Sequence, residues 1–349
     1  MKKTIIAHSI FLLLFTSVSY AFESFFPVFN SRYGYDSIPF GIEYRRDISP
    51  SLTKDTDPAT AILYTPNAKC KLFADGKGNF LYFVNREYPS GGDNAPFSEY
   101  VYSFSKNDAI KYTPARRLIE ILDSDFDKNR DPFILNYITG FSSPGIGSNF
   151  VDINNIISSD KNNISIKNNE NNAVISLRVY DGKAPGNADR YYLYTLEIGK
   201  ISGKFYPLKS CTKLLVVSED NKETIFPAMS EITYEDYIKL GNQNIYMPQK
   251  IIVSRYKITA TPNDKEFKRE LFERETIKIT KVFSDSKSIE ENMKLTIPES
   301  AMLFNKKDGN AYSFPGIIKM LKESMDAKWR LFYALLFLLF LYFFMHTLR

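Results

Sequence analysis

Apolar and polar residues alternate through the second half of the chain. Ile277 and Ile279 are interleaved with Lys278 and Thr280, a period of two that turns one strand face to a core and the other to water. Segments of this kind predict strands at Ala173 to Tyr180, Arg190 to Ile198, Lys213 to Ser218, Ile232 to Ile238, Ile245 to Thr259 and Thr276 to Phe283. The connections are short and carry turn residues, among them Asp181-Gly182, Gly203, Glu219-Asp220-Asn221 and Gly241-Asn242. Sequential strands without intervening helices predict an antiparallel meander.

The first half is less regular. Residues 22–66 read as an irregular lead-in with one strand, Phe40 to Tyr44. A hairpin follows, Lys69 to Phe73 and Asn79 to Val84 around Asp75-Gly76-Lys77-Gly78, because Asp-Gly supplies the positive φ that such turns need. Tyr100 to Ser105 is a further strand by its alternating Tyr100, Tyr102 and Phe104. Pro114 to Leu122 reads as a helix started by its proline. Asp160 to Asn172, rich in Asn and Lys, reads as a solvated loop or a long hairpin tip, and as the internal boundary of a β-rich domain over 67–314.

Both ends are apolar. Met1-Lys2-Lys3, an apolar run from Ile5 to Phe15 and Ser19-Tyr20-Ala21 have the layout of a signal peptide over residues 1–21, with an uncleaved anchor as the alternative. At the other end, Leu331 to Met345 holds fifteen apolar residues without a charge. That run spans only about 22 Å as a helix, and flanking Trp329, Lys328, Arg330 and Arg349 extend its reach by snorkelling. A transmembrane helix is therefore expected over 329–346 with a short tail at 347–349. Residues 315–328 form an amphipathic juxtamembrane segment, or else the first turns of the same helix. Lys319, Lys322, Lys328 and Arg330 precede the anchor and only Arg349 follows, a bias opposed to an exported domain by the positive-inside rule. An N-terminal export signal overrides that bias, so the expected location is the bacterial cell envelope, with the domain on the periplasmic or extracytoplasmic side.

Composition narrows the chemistry. The chain's only histidines are His8 and His346, one at each apolar end, so the exported domain has no Ser-His-Asp or Cys-His catalysis and no His-ligated metal. The net charge of +5 is dispersed along the chain and gives no nucleic-acid footprint. Aromatics make up 15% of the sequence, with 23 Tyr and 28 Phe, as strand-rich cores favour. Cys70 and Cys211 are the only cysteines; in an oxidising compartment they are either a disulfide or two separate buried thiols.

The remaining motifs read as ordinary structure. Asp123, Asp125 and Asp127 alternate as in a calcium loop, yet Lys128 stands where an EF-hand needs Gly and Ile134 where it needs Glu. Gly145-Ile-Gly147 is a turn without strand–helix context, and the Ser103/Lys106 and Ser158/Lys161 spacings are matched by chance in a Ser- and Lys-rich chain. No catalytic, cofactor or metal residue is assigned, and no cofactor is called for.

ITYEDYIKLGNQNIYMPQKIIVSRYKI, then ETIKITKVF and MKLTIPESAMLFNKKDG, with Gly203-Lys-Phe-Tyr-Pro207 ahead of them, resemble the rhythm of the envelope lipoprotein-carrier and lipoprotein-sorting proteins over residues 173–310. The resemblance implies a curved, unclosed antiparallel sheet, or half-barrel, whose concave face binds acyl chains, often beneath a helical lid. The expected fold class is thus mainly β (α+β), with one or two helices and the C-terminal anchor. The expected function is a tethered, non-catalytic protein binding a lipid, a lipoprotein acyl chain or a partner protein. A carboxylate-dependent hydrolase of an envelope polymer, with two acids about 5–10 Å apart and one of raised pKa, and a structural or adhesive domain are the alternatives.

Overall fold

The computed structural model describes residues 35, 37–50, 67–87, 99–104, 109–122, 134–142, 150–152, 164–168, 170–240, 244–259, 267–295, 298, 300–305 and 310–313. The residues read as a signal peptide (1–21), a juxtamembrane segment (315–328) and an anchor (329–346) lie outside them. Among the described residues no helix is long and apolar enough to cross a membrane. The architecture is mainly β, an open curved sheet with short helices.

Six strands form an N-terminal meander: β1 (Pro39–Pro50), β2 (Asn67–Asp75), β3 (Phe80–Glu87), β4 (Glu99–Phe104), β5 (Ala109–Thr113) and β6 (Leu118–Leu122). Helix α1 (Ile134–Thr139) and a small separate hairpin, β7 (Gly140–Ser142) with β8 (Phe150–Asp152), come next. The second meander runs through β9 (Ile164–Asn168), β10 (Asn172–Lys183), β11 (Asp189–Ile201), β12 (Lys204–Val217), β14 (Ser230–Lys239), β15 (Tyr246–Thr259) and β16 (Lys268–Phe283), with short β13 (Glu223–Ile225) beside β12. Helix α2 (Ser286–Asn292) leads to β17 (Met302–Asn305) and β18 (Asn310–Ser313).

The two meanders become one sheet because β1 pairs with β2 on one side and β16 on the other, for example Ile42 with Leu72 and with Val282. A bulge between Glu43 and Tyr44 adjusts the seam. The sheet order is β18-β17-β6-β5-β4-β3-β2-β1-β16-β15-β14-β12-β11-β10-β9. Its pairs are antiparallel apart from β17 on β6, which is parallel.

The strands predicted in the second half are all present, and the hairpin around Asp75 forms as expected. Asp75 Oδ1 accepts the backbone N–H groups of Lys77 at 2.7 Å and Asn79 at 3.1 Å, and Gly76 takes φ +74. A Cβ on Gly76 would lie 2.8 Å from the Pro39 backbone nitrogen. Gly76→Ala is therefore expected to destabilise the protein by more than about 1 kcal/mol, seen as a lower urea midpoint at unchanged slope. A midpoint within error of the parent would show that this turn tolerates a side chain.

One expectation fails, and one of two alternatives is decided. Pro114 to Leu122 is not a helix: Pro114–Arg116 form one 3-10 turn, Arg117 turns into the left-handed region at φ 50, and Leu118–Leu122 is β6. The β-branched Ile119 and Ile121 suit a strand, and β5 and β17 pair with β6 on its two sides. The Asn-rich segment is a hairpin end and not all loop, since β9 pairs antiparallel with β10. Ile164 and Ile166 alternate with exposed Ser165 and Lys167 and pack against the apolar cluster of β10 and β11, which makes β9.

One sheet face carries the main core. Phe40, Ile42 and Tyr44 from β1 meet Cys70 and Leu72 from β2, Tyr82 and Val84 from β3, and Ile277 and Ile279 from β16. The same face continues across β10 and β11 as Ile175, Leu177, Tyr194 and Leu196. The side chains of Ile134, Leu135, Tyr137 and Ile138 show that α1 is packed into the main core, each at most 1% exposed. On the other face, Leu81, Val101, Tyr112 and Ile119 are covered by Met293, Leu295, Ala301 and Leu303, in the chain that follows α2.

Candidate functional site

The chemistry concentrated on the apolar face comes from charges placed at inward positions. In β1, Arg46 follows Phe40, Ile42 and Tyr44 on the buried phase; in β15, Arg255 follows Ile251 and Val253; in β16, Glu273 and Glu275 precede Ile277 and Ile279. The register sets Arg255 directly opposite Glu273 and Val253 opposite Glu275. Arg46 is 4% exposed, Arg255 1%, Glu273 4% and Glu275 0%.

The four charges sum to zero and form one network. Arg46 Nε donates to Glu275 Oε1, and Arg255 Nη1 donates to Glu273 Oε1 and, at 3.2 Å, to Glu275 Oε2. Tyr137 of α1 donates its hydroxyl to Glu275 Oε1. The helix is held twice more: Tyr234 donates to the Tyr137 carbonyl at 2.8 Å, and the Ile134 N–H donates to the Tyr44 hydroxyl at 3.3 Å. Arg255 Nε and Nη2 have no hydrogen-bond partner among the described residues.

Burial alone would raise the Glu275 carboxyl, but Arg46 and Arg255, with the Tyr137 hydrogen bond, hold it below the usual carboxylate range. Burial pushes the Tyr137 hydroxyl well above the ordinary tyrosine value, so it stays a donor. Burial opposes the charge of Arg46, and Glu275 more than restores it. A carboxylate held as an anion and sealed from water accepts hydrogen bonds but supplies no proton. Glu275 is thus a fastening between sheet and helix, its carboxyl shifted in the direction opposite to the raised acid of a glycosidase-type pair.

The opposite face is ionic. Lys71 pairs with Glu43 at 2.9 Å, Lys69 with Glu87 at 2.7 Å, and Arg45 with both Asp47 at 2.7 Å and Glu87 at 3.1 Å. Further along the sheet Lys250 pairs with Glu235 at 2.7 Å. A trough of about 560 Å³ opens on this face, where Glu43, Arg45, Lys69 and Lys71 share its lining with Phe83 and Val101.

The structure does not bring the two cysteines together. Cys70 is buried on β2, where Tyr82 donates to its Sγ at 3.4 Å, and Cys211 is half-buried on β12. Strands β1, β16, β15 and β14 lie between β2 and β12, which at about 4.8 Å per strand is about 24 Å along the sheet. They also face opposite sides, since Cys211 is paired with Glu231 of the ionic face. A disulfide needs Cα atoms within about 7 Å, so the candidate Cys70–Cys211 bridge is corrected to two free thiols. Burial pushes the Cys211 thiol up, away from a reactive thiolate.

Ser103 is on β4. Lys106, Ser158, Lys161, the Asp123 to Asn129 turn and Gly145-Ile-Gly147 lie outside the described residues. The sequence reading missed Arg46, Arg255, Glu273 and Glu275. Their signal was present, as charges on the apolar phase of three separate strands in numbers that balance.

No protein-family model and no curated protein matches the chain. Among solved structures, the crystal structure of an uncharacterized conserved protein from Thermus thermophilus aligns over 78% of this chain and 94% of that one, at 7% identity and a TM-score of 0.25. That likeness is too slight to carry a fold or a function from one chain to the other.

Proposed function

We propose that the chain is an exported, membrane-tethered, non-catalytic envelope protein whose curved sheet offers a pre-formed surface to a partner protein. The observation that carries this reading is the trough between Glu43, Arg45, Lys69 and Lys71. Charges of both signs around Phe83 and Val101 suit a polypeptide, which presents both signs and apolar side chains together. An acyl chain needs the opposite, an empty apolar channel. The main core on the apolar face is instead filled by α1, which the neutral network around Glu275 fastens down. Tethering and export rest on the two apolar ends of the sequence. A half-barrel of the lipoprotein-sorting kind belongs to the same proposal, in the role of a fixed acceptor or scaffold, because an anchored chain does not shuttle cargo.

The test places a photo-crosslinking residue at Lys71 or Phe83 in the producing cell, with a reference at Lys213. A discrete protein adduct is expected at the trough positions and absent at the reference, and Arg45→Glu with Lys69→Glu removes it. The purified full chain is challenged in parallel with a fluorescent fatty acid. Saturable uptake of that probe, with no adduct at the trough, would replace partner binding by lipid carriage.

A further inference from the structure

The order of strands in the sheet places its two edges far apart, and they stand in different relations to the end of the chain. β18 is one edge and β9 the other, separated by fourteen strand spacings, or about 67 Å along the curved sheet. Ser313 ends β18, and the amphipathic segment begins two residues later at Pro315, with the apolar run from Leu331 beyond it. A segment of that kind lies in the plane of the bilayer surface. On the tethered reading, whether that segment lies on the surface or begins the anchor helix, the chain runs to the membrane from the β18 edge.

That edge has surface groups suited to a bilayer. Ile121 of β6 is 48% exposed and Met302 of β17 is 42% exposed, on opposite faces of the same strand pair. Arg116 and Arg117 are exposed at the bend leading into β6. The bend is built firmly: Arg117 donates through Nη1 to Ser300 Oγ at 3.1 Å, and its carbonyl accepts the Met302 N–H at 2.7 Å. Glu120 of β6 pairs with Lys111 at 3.7 Å. Two cations beside apolar groups fit an anionic lipid surface, which attracts each Lys or Arg near it.

We propose that the β6–β17–β18 edge rests on the membrane, with Arg116 and Arg117 on anionic headgroups and Ile121 and Met302 at the interface. The sheet then stands on this edge, and β9 is the part farthest from the bilayer. The proposal rests on the tethered reading of the C-terminus and adds an orientation to it.

The full-length chain with Cys211→Ser carries a fluorescent thiol label at Met302→Cys, at Ile121→Cys or, as the far-edge reference, at Lys167→Cys. Each is reconstituted into phosphatidylcholine vesicles with or without phosphatidylglycerol, all containing a headgroup-level nitroxide lipid. Positions 302 and 121 are expected to be strongly quenched and position 167 to stay near the lipid-free intensity. Arg116→Glu with Arg117→Glu, or omission of phosphatidylglycerol, lowers the quenching at 302 several-fold while the chain still floats with the vesicles. Flotation with equal quenching at 302 and 167 overturns the orientation and leaves the anchor standing. Failure to float overturns the anchor, and the orientation with it. Matched thermal melts of parent and variants establish that each comparison is between folded proteins.

Discussion

Glu275→Gln is expected to destabilise the protein by about 3–5 kcal/mol, the cost of breaking a buried ion pair from one side. The amide removes the negative charge that faces Arg46 and Arg255, and it turns one of the two oxygens, Oε1 shared by Arg46 and Tyr137 or Oε2 bound by Arg255, into an NH2 donor that faces another donor. Urea denaturation followed by the strand signal in circular dichroism measures the loss, and hydrogen exchange should show α1 losing protection first. Replacing Arg46 and Glu275 together by Met should cost less than Glu275→Gln alone, because no unpaired Arg46 charge then remains. A loss below about 1 kcal/mol for the single variant would mean that the network is not fastening the helix. The pH dependence has a definite sign. Glu275 has a folded pKa below its unfolded value of roughly 4.3, so its contribution is fully present above that value and disappears as pH falls through the folded pKa. The gap between parent and Glu275→Gln should therefore be constant near neutrality and narrow in acid.

The second large effect is expected at Tyr82. Its ring is fully buried and stacks on Tyr44 at 6.3 Å and Tyr102 at 5.9 Å, so three strands of the N-terminal meander meet there. Tyr82→Ala should cost about 3–5 kcal/mol through lost burial and the cavity left behind. Tyr82→Phe keeps the ring and loses the contacts of the hydroxyl, among them the long hydrogen bond to Cys70 Sγ at 3.4 Å and the one shared with the Tyr44 hydroxyl. It should cost about 1–2 kcal/mol, clearly less than the alanine variant. Equal losses for the two variants in the same denaturation experiment would shift the weight from ring packing to the hydroxyl.

How far the sequence reveals this molecule depends on which force fixed each part. Strands from Ala173 to Phe283 are legible because period-two alternation and Gly/Asn/Asp turns act within a few residues of chain. Leu118 to Leu122 misled because a leading proline fits the start of a helix equally well, and tertiary pairing with β17 decided for a strand. β9 was missed because a five-residue edge strand carries only two apolar side chains, Ile164 and Ile166, in an Asn-rich setting. The partnership of β1 with β16 joins positions far apart in the chain, and no local pattern encodes it. The site lies between these cases. Arg46, Arg255, Glu273 and Glu275 each break an apolar phase visibly, but that they meet at one point depends on the seam. Cys70 and Cys211 show the reverse error, since their number suggested a pair and the strand order keeps them apart.

The seam between β1 and β16 also sets a timetable. Ile42 leaves the ribosome well before Val282, and at about 5–20 residues per second the interval is about 10–50 s. Throughout that interval β1 has one finished neighbour at most and one bare edge, with Phe40, Ile42 and Tyr44 lacking half of their cover. Contacts between such distant positions form late and slowly. The growing chain is thus an aggregation-prone template until its last long strand arrives, and a nascent chain stopped anywhere before Lys268 has no way to close. Quality control would have to protect this protein for almost its whole synthesis, whereas a protein built from local hairpins would need that protection only briefly.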